Sequence, residues 1–293
     1  MSSRRYIIIS PVRNEEAHLR ENIESIVAQS IRPARWIIVN DGSKDGTAQI
    51  ADEAARAHDW ITVVHRADRG FRRQGGGVVE TFYDGHRLIG DEPWDYLVKL
   101  DGDLSFAPDY FEKCLARFEQ DATLGIGGGT ICVMTETGLQ VESKGDPAFH
   151  VRGATKIYRH ACWDAIGGLL REAGWDTLDE VKANMLGWRT CTFPELRLVH
   201  HRETGGADGT WKNWVKNGRA NYVVGYHPLF MFFKCARRVF ERPYFVGALG
   251  LFYGFLTGYI LRAPCIREPD VVRYLRRQQL RRLFLQSSIW ADK

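Results

Sequence analysis

Residues 94–103 read Trp94-Asp95-Tyr96-Leu97-Val98-Lys99-Leu100-Asp101-Gly102-Asp103. The first seven are mostly apolar and predict a buried strand over Tyr96–Leu100. The strand ends on two carboxylates one residue apart. Like charges at that spacing repel unless a cation sits between them. Gly102 lets the backbone turn sharply enough for both to reach one ion. Oxygen ligands of this kind suit Mg²⁺ or Mn²⁺, usually together with substrate phosphates. Two further acidic clusters lie along the chain: Asn40-Asp41-Gly42-Ser43, and Trp175-Asp176 with Asp179 and Glu180 close behind.

Around that stretch, strands and helices alternate. Strands are predicted over Tyr6–Ser10, Trp36–Val39 and Ile61–Val64. Helices are predicted over Glu15–Gln29, Asp45–Ala57, Val78–Leu88 and Pro108–Glu119. This alternation predicts an α/β fold with a mainly parallel sheet covered on both faces. Ligands then bind beyond the carboxyl ends of the strands, where Asp41 and Asp103 fall. From Gly125 to about Glu203 the pattern is mixed. Strand-like Ile126–Met134, Arg189–Phe193 and Leu196–His200 accompany helical Arg159–Ile166 and Leu178–Leu186.

The chain has 293 residues, a net charge of +4 and six scattered cysteines with no Cys-x-x-Cys pair. That argues against a zinc site or a disulfide framework and for a reducing compartment. Basic residues concentrate after Lys234. Tyr244–Leu261 carries no charge over 18 residues, the lower edge of the ~17–25 needed to span a bilayer. Its glycines each weaken a helix by about 1 kcal/mol relative to alanine. We therefore expect a helix or hairpin lying in the membrane interface, on the cytoplasmic face, in preference to a spanning one. The arginines at helical spacing between Arg273 and Arg282 would meet anionic lipid. No nucleic-acid-binding module accompanies them, so no nucleic-acid partner is expected.

Three motifs, in order and spacing, resemble glycosyltransferase family 2: Ser10-Pro11-Val12-Arg13-Asn14-Glu15-Glu16, Val39-Asn40-Asp41-Gly42-Ser43-Lys44-Asp45-Gly46-Thr47 and Leu100-Asp101-Gly102-Asp103. The resemblance covers about residues 6 to 204. It implies the GT-A fold and a metal-dependent transfer of sugar from a nucleotide diphosphate with inversion at the anomeric carbon. A glycosyltransferase domain would occupy 1–208, its nucleotide-binding half about 1–104 and its acceptor half about 105–208. Residues 209–293 would form a helical, membrane-associating tail.

By that resemblance Pro11, Arg13, Glu15, Asp41 and Asp101 hold the nucleotide. Arg13 stands where the family usually has an aromatic; a guanidinium can also stack on a base. Asp103 and Asp101 are the metal motif, and Pro194–His201 resembles a segment whose histidine can ligate the metal, with His200 favoured over His201. Arg152-Gly153-Ala154 resembles the loop facing the donor sugar. The base is expected eleven positions before Gly187, at Asp176, with Asp179 second and Glu180 a weaker rival. The family's acidic pair is broken, because Trp175 precedes Asp176. From the residues alone, Arg69, Arg72 and Arg73 could bind diphosphate or form an exposed basic loop. The donor is expected to be a UDP-sugar, with GDP- or dTDP-sugars allowed. The acceptor would be a glycan or lipid-linked precursor. A nucleotidyltransferase and an inactive nucleotide-sugar scaffold are the alternatives. The first lacks a glycine-rich loop at Ser10–Glu16; the broken acidic pair keeps the second open.

Overall fold

The structure, a computed structural model, describes residues 4–68, 70, 76–143, 145–172, 174–202, 209–241 and 243–290. The strands are β1 (Tyr6–Val12), β2 (Arg35–Asn40), β3 (Ile61–His65), β4 (Tyr96–Leu100), β5 (Leu104–Phe106), β6 (Leu124–Thr135), β7 (Gly138–Val141), β8 (Thr155–Arg159) and β9 (Arg189–His200). They form one sheet in the order β3-β2-β1-β4-β8-β6-β9-β5, with β7 paired to β6. Six helices accompany this part: α1 (Leu19–Val27), α2 (Thr47–Ala57), α3 (Gly77–His86), α4 (Tyr110–Gln120), α5 (His160–Ile166) and α6 (Trp175–Met185).

Period-two alternation explains why the central strands are apolar throughout. Ile8, Trp36, Ile38 and Val98 face one core layer, packed against α1, α2 and α4. Ile7, Ile9, Ile37, Val39 and Leu97 face the other, against α3 and α5.

The expectation of a mainly parallel sheet is corrected to a mixed one. β1 pairs in parallel with β2 and β4, and β2 with β3. β6 and β9 are also parallel. β8 is antiparallel to both β4 and β6, and β5 is antiparallel to β9. Two of these antiparallel registers build the site. Leu100 pairs with Thr155, so the segment just before β8, residues 152–154, lies beside Asp101. Leu104 pairs with His200, so the end of β9 arrives beside Asp103. The short strands β5, β7 and β8 have no long apolar run or flanking turn cluster to announce them. The two strands expected on either side of Pro194 are one, β9, with an irregularity: Gly129 pairs with Phe193 and Thr130 with Arg197. Pro194 has no amide hydrogen to give the ladder, so the strand bulges there.

Four helices follow: α7 (Thr210–Val224), α8 (Pro228–Arg238), α9 (Val246–Ile260) and α10 (Pro269–Leu283). They share a third core with α6, in which Leu178 and Val181 meet Tyr222, Val224, Leu251, Phe255, Val271 and Leu275. α7 and α9 pack backbone to backbone. A Cβ on Gly218 would sit 2.0 Å from the Leu251 carbonyl oxygen, and one on Gly254 2.0 Å from that of Val215. The glycines that weaken α9 as an isolated helix are what allow this approach. The outer faces of α8 and α9 leave Phe232, Phe233, Leu249, Phe252, Tyr253, Leu256 and Ile260 exposed. Among the described residues no helix is long and apolar enough to cross a membrane.

Candidate active site

The carboxyl ends of β1, β2 and β4 and the arrivals from β8 and β9 converge on one cleft. Lys99 stands at its centre. Its side chain is 3% exposed. Its ammonium donates to the Asp101 carboxylate and, at 2.6 Å, to the Gly153 carbonyl. The Asp101 amide donates to the Ala154 carbonyl at 2.9 Å. The metal motif and the expected donor-sugar loop are therefore tied together by both side chain and backbone.

Asp103 is nearly buried. Its Oδ2 lies 3.4 Å from His200 Nε2 and 3.0 Å from Arg202 Nη2. His200 Nδ1 lies 3.2 Å from Glu142 Oε2, and Glu142 in turn accepts from Arg152 at 2.6 Å. Burial alone would lower the His200 pKa. The Asp103 and Glu142 carboxylates outweigh it and raise the value to about 9. The same guanidinium nitrogen of Arg202 also donates to Glu15. Burial first, and the Asp103 charge second, push Glu15 up to about 7 against the pull of Arg202.

Asp103 Oδ1 and Glu15 Oε2 are buried and have no hydrogen-bond partner. Buried carboxylate oxygens short of a donor are what a hard divalent cation coordinates. The residues present fit such an ion at Asp103, flanked by Asp101 and His200. Among the described residues no three His, Cys, Asp or Glu side chains are already gathered as a metal cage.

At the expected nucleotide end, Pro11 lies in β1 beyond the last residue paired to β4, so its missing amide hydrogen breaks no bond on that edge. Arg13 donates to the Asp41 carbonyl at 2.7 Å and to Asp68 at 2.8 Å. The Asp41 carboxylate accepts from Arg66 at 2.7 Å, and Arg66 is itself held by Asp84. Arg69 lies outside the described residues, as do Arg72 and Arg73.

The three acids of α6 have different surroundings. Asp176, in the first turn, is half-buried and lies against the expected donor-sugar loop: a Cβ on Gly153 would come within 3.2 Å of the Asp176 Cβ. Asp179 and Glu180 are enclosed. Lys156 Nζ reaches Asp179 Oδ1 at 2.9 Å and Glu180 Oε1 at 2.7 Å. Tyr158 donates to Asp179 at 2.6 Å, and His150 lies 2.9 Å from Glu180. Burial pushes Asp179 up to about 6, with Lys156 opposing it. Burial would lower His150, but Glu180 raises it to about 9.

Sequence reading missed Lys99, Glu142, Lys156 and Arg202. For Lys99, a lysine within the apolar run Tyr96–Leu100 was the available signal, because a buried ammonium must have a partner. Arg202 directly follows His200-His201.

The architecture is that of an α/β glycosyltransferase of GT-A type, a curled mixed sheet flanked by helices with the acidic cleft at its strand ends. Residues 7–173 match the pattern of glycosyl transferase family 2, and the chain belongs to that family. It is 33% identical over 138 residues to polyprenol monophosphomannose synthase of Mycolicibacterium smegmatis, covering 44% of this chain and 48% of that protein. It is 36% identical over 122 residues to the uncharacterized glycosyltransferase EpsJ of Bacillus subtilis, covering 42% and 33%. The chain spans less than half the length of the curated relatives it matches. Two solved structures share the fold. The mannosyltransferase PcManGT from Pyrobaculum calidifontis, in complex with GDP-Man and Mn²⁺, superposes with a TM-score of 0.55 at 18% identity, over 97% of this chain and 88% of that one. S. aureus TarS 1–349 in complex with UDP gives 0.57 at 15% identity, over 94% and 81%.

Proposed function

We propose that the chain is an inverting glycosyltransferase that uses Mg²⁺ or Mn²⁺. It moves a sugar from a nucleotide diphosphate donor, a UDP-sugar first among candidates, to a hydroxyl of a glycan or lipid-linked acceptor. The observation that carries this reading is the junction at Lys99, which draws Asp101, Gly153 and, through Gly153, Asp176 around one cleft. Pro11, Arg13, Glu15 and Asp41 line the nucleotide end; Asp103, Asp101 and His200 would hold the metal. When bound, that cation supplies positive charge to the diphosphate as it leaves.

Asp176 is the base. Its carboxylate takes the proton of the acceptor hydroxyl as that oxygen attacks the anomeric carbon. The bond to the diphosphate oxygen breaks on the opposite face, so one displacement inverts the centre. Asp179 is the second candidate, but both its oxygens are engaged by Lys156 and Tyr158. Its place is to hold α6 against the sheet.

Exposed aromatic and aliphatic side chains on α8 and α9, beside the arginines of α10, support docking at the cytoplasmic membrane face, with the helices lying in the interface. The 33% identity to a polyprenol monophosphomannose synthase supports a lipid-linked acceptor. The test is donor turnover by the purified chain, with UDP-, GDP- and dTDP-sugars and Mn²⁺. Turnover that disappears with EDTA and in Asp103→Ala is expected. No turnover of any donor would overturn the reading in favour of an inactive binding scaffold.

A further inference from the structure

One large cavity among the described residues lies apart from the acidic cleft. It lies between α7, α9 and α10. Val224 there packs on Gly174, the residue before α6, while its neighbour Gly225 lines the cavity. The cavity encloses about 790 Å³. Its floor is apolar, with Tyr222, Tyr259, Ile266, Val272 and Leu280, and Phe284 stands at its mouth. Tyr259 and Phe284 are also partly exposed, so the floor runs out into the apolar surface of α9.

The rim has the opposite character. Arg273, Arg276, Arg277 and Arg281 all line this one cavity. Arg273 lies 3.3 Å from Asp270. The other three have no carboxylate partner among the described residues. Arg276 donates its Nε to the Gly225 carbonyl at 2.8 Å, which fixes the side chain and leaves its charge unneutralised. Arg277 lies over the Tyr274 ring at 5.8 Å. Arg281 Nε is buried and has no hydrogen-bond partner. No acidic residue occurs between Asp270 and Asp292.

Unpaired guanidinium groups around an apolar hollow repel one another unless an anion joins them. Free phosphate would satisfy the rim and leave the floor wet. An uncharged hydrocarbon would fill the floor and leave the rim unpaired. Both are satisfied by one amphiphile with an anionic phosphate head. We propose that this cavity binds a single anionic phospholipid, its phosphodiester held by Arg276, Arg277 and Arg281 and its first acyl carbons lying on Tyr259, Leu280 and Phe284. The proposal rests on the reading that α8–α10 meet a membrane. It adds a discrete stoichiometric site to that general attraction. Because Val224 and Gly225 lie between this cavity and Gly174, the lipid would also brace the start of the base helix.

The probe is dihexanoyl phosphatidylglycerol below its micellar concentration, titrated into the full chain and followed by calorimetry and native mass spectrometry. Saturable binding of one molecule is expected, with dihexanoyl phosphatidylcholine weaker and inorganic phosphate undetectable. Each of Arg277→Gln and Arg281→Gln should weaken binding by about fivefold, and Phe284→Ser by a similar factor, since one arginine at an anionic surface is worth about that much. Arg282→Gln, on the same helix outside the cavity, should leave monomer binding unchanged. Equal binding of inorganic phosphate would make this a free-anion site and overturn the proposal. So would loss in Arg282→Gln as large as in Arg277→Gln, or absence of saturable binding. Donor turnover is measured on the same preparations: if it fails while the lipid binds, the glycosyltransferase reading falls and this site stands.

Discussion

Lys156→Met is the substitution that most directly tests how α6 is held. The Lys156, Asp179 and Glu180 side chains are all fully buried, and one ammonium sits 2.7–3.0 Å from three carboxylate oxygens. Lys156 also donates to the Asp176 carbonyl, which fixes the first turn carrying the proposed base. Methionine keeps the volume and removes the charge, leaving two adjacent carboxylates in an enclosed site. Breaking a buried pair this way costs about 3–5 kcal/mol. With an unfolding entropy of roughly 2.1 cal/mol/K per residue over the whole chain, that lowers Tm by about 5–8 °C. The sign of its pH dependence follows from the same contacts. Burial already pushes Asp179 up to about 6 with Lys156 present; without that cation its carboxyl ionises at still higher pH when folded. A carboxyl whose folded pKa lies above its unfolded one is stabilising below the unfolded value and loses that stability as pH rises. The cost of Lys156→Met should therefore be at least about 1 kcal/mol larger at pH 8 than at pH 5. Adding Asp179→Asn and Glu180→Gln should recover most of the loss, because neither carboxylate left without Lys156 then remains. Urea denaturation at the two pH values is the assay. A loss under about 1 kcal/mol at pH 8, or the same loss at both, would refute a buried ion triad as the anchor of α6.

Asp103→Asn should abolish the Mn²⁺ dependence of UDP binding in calorimetry with and without EDTA; equal dependence in the variant would remove Asp103 from the metal site. Asp176→Asn should keep donor affinity and lose transfer by about 10²–10⁴-fold. If Asp179→Asn gives that pattern, with Asp176→Asn active, the base is Asp179. His150 is raised to about 9 by Glu180 against the lowering effect of burial. Its stabilising contribution is complete below about pH 6.5 and lost as pH rises through about 9. The full linkage is about 3 kcal/mol at 1.36 kcal/mol per pH unit, and partial exposure reduces it to about 1–2 kcal/mol. That loss should be present in wild type and absent in His150→Gln, measured by denaturation across pH 6–10.

The parallel half of the sheet was legible because its strands bury both faces and so carry unbroken apolar runs. β4 falls on Tyr96–Leu100 as expected, and α3 and α4 lie within two residues of their predicted starts. The second half was not legible in the same way. β5 is three residues long, and β8 contains a lysine and an arginine inside its five. Their positions are decided by antiparallel pairing to β9 and β4, a tertiary effect that local periodicity does not record. The candidate site divides on the same line. Asp101, Asp103 and Asp41 stand at ends of readable strands. Lys99, Glu142 and Arg202 gain their roles only when residues more than fifty positions apart meet, and Lys156 when β8 meets α6.

Trp175 shows how that meeting resolves the one departure in the acidic pattern. An acid was expected before Asp176, and an indole stands there. Its ring lies 5.5 Å from Lys99 Nζ and 5.6 Å from Lys156 Nζ, between the two buried ammonium groups of the sheet. Neither lysine needs a third carboxylate. Lys99 is neutralised by Asp101, and Lys156 faces Asp179 and Glu180 together. An acid at 175 would add negative charge to a pair of sites already balanced or in excess, at the cost of burying it. The indole instead offers its electron-rich face to both cations, an interaction of about 0.5–2 kcal/mol each. It also fills the space beside Gly153, where a Cβ would come within 3.0 Å of the ring. The broken pair is thus a repacked one. The aromatic ring fills the wedge between Gly153 and the first turn of α6, and Asp176 is the one carboxylate of α6 that is not enclosed.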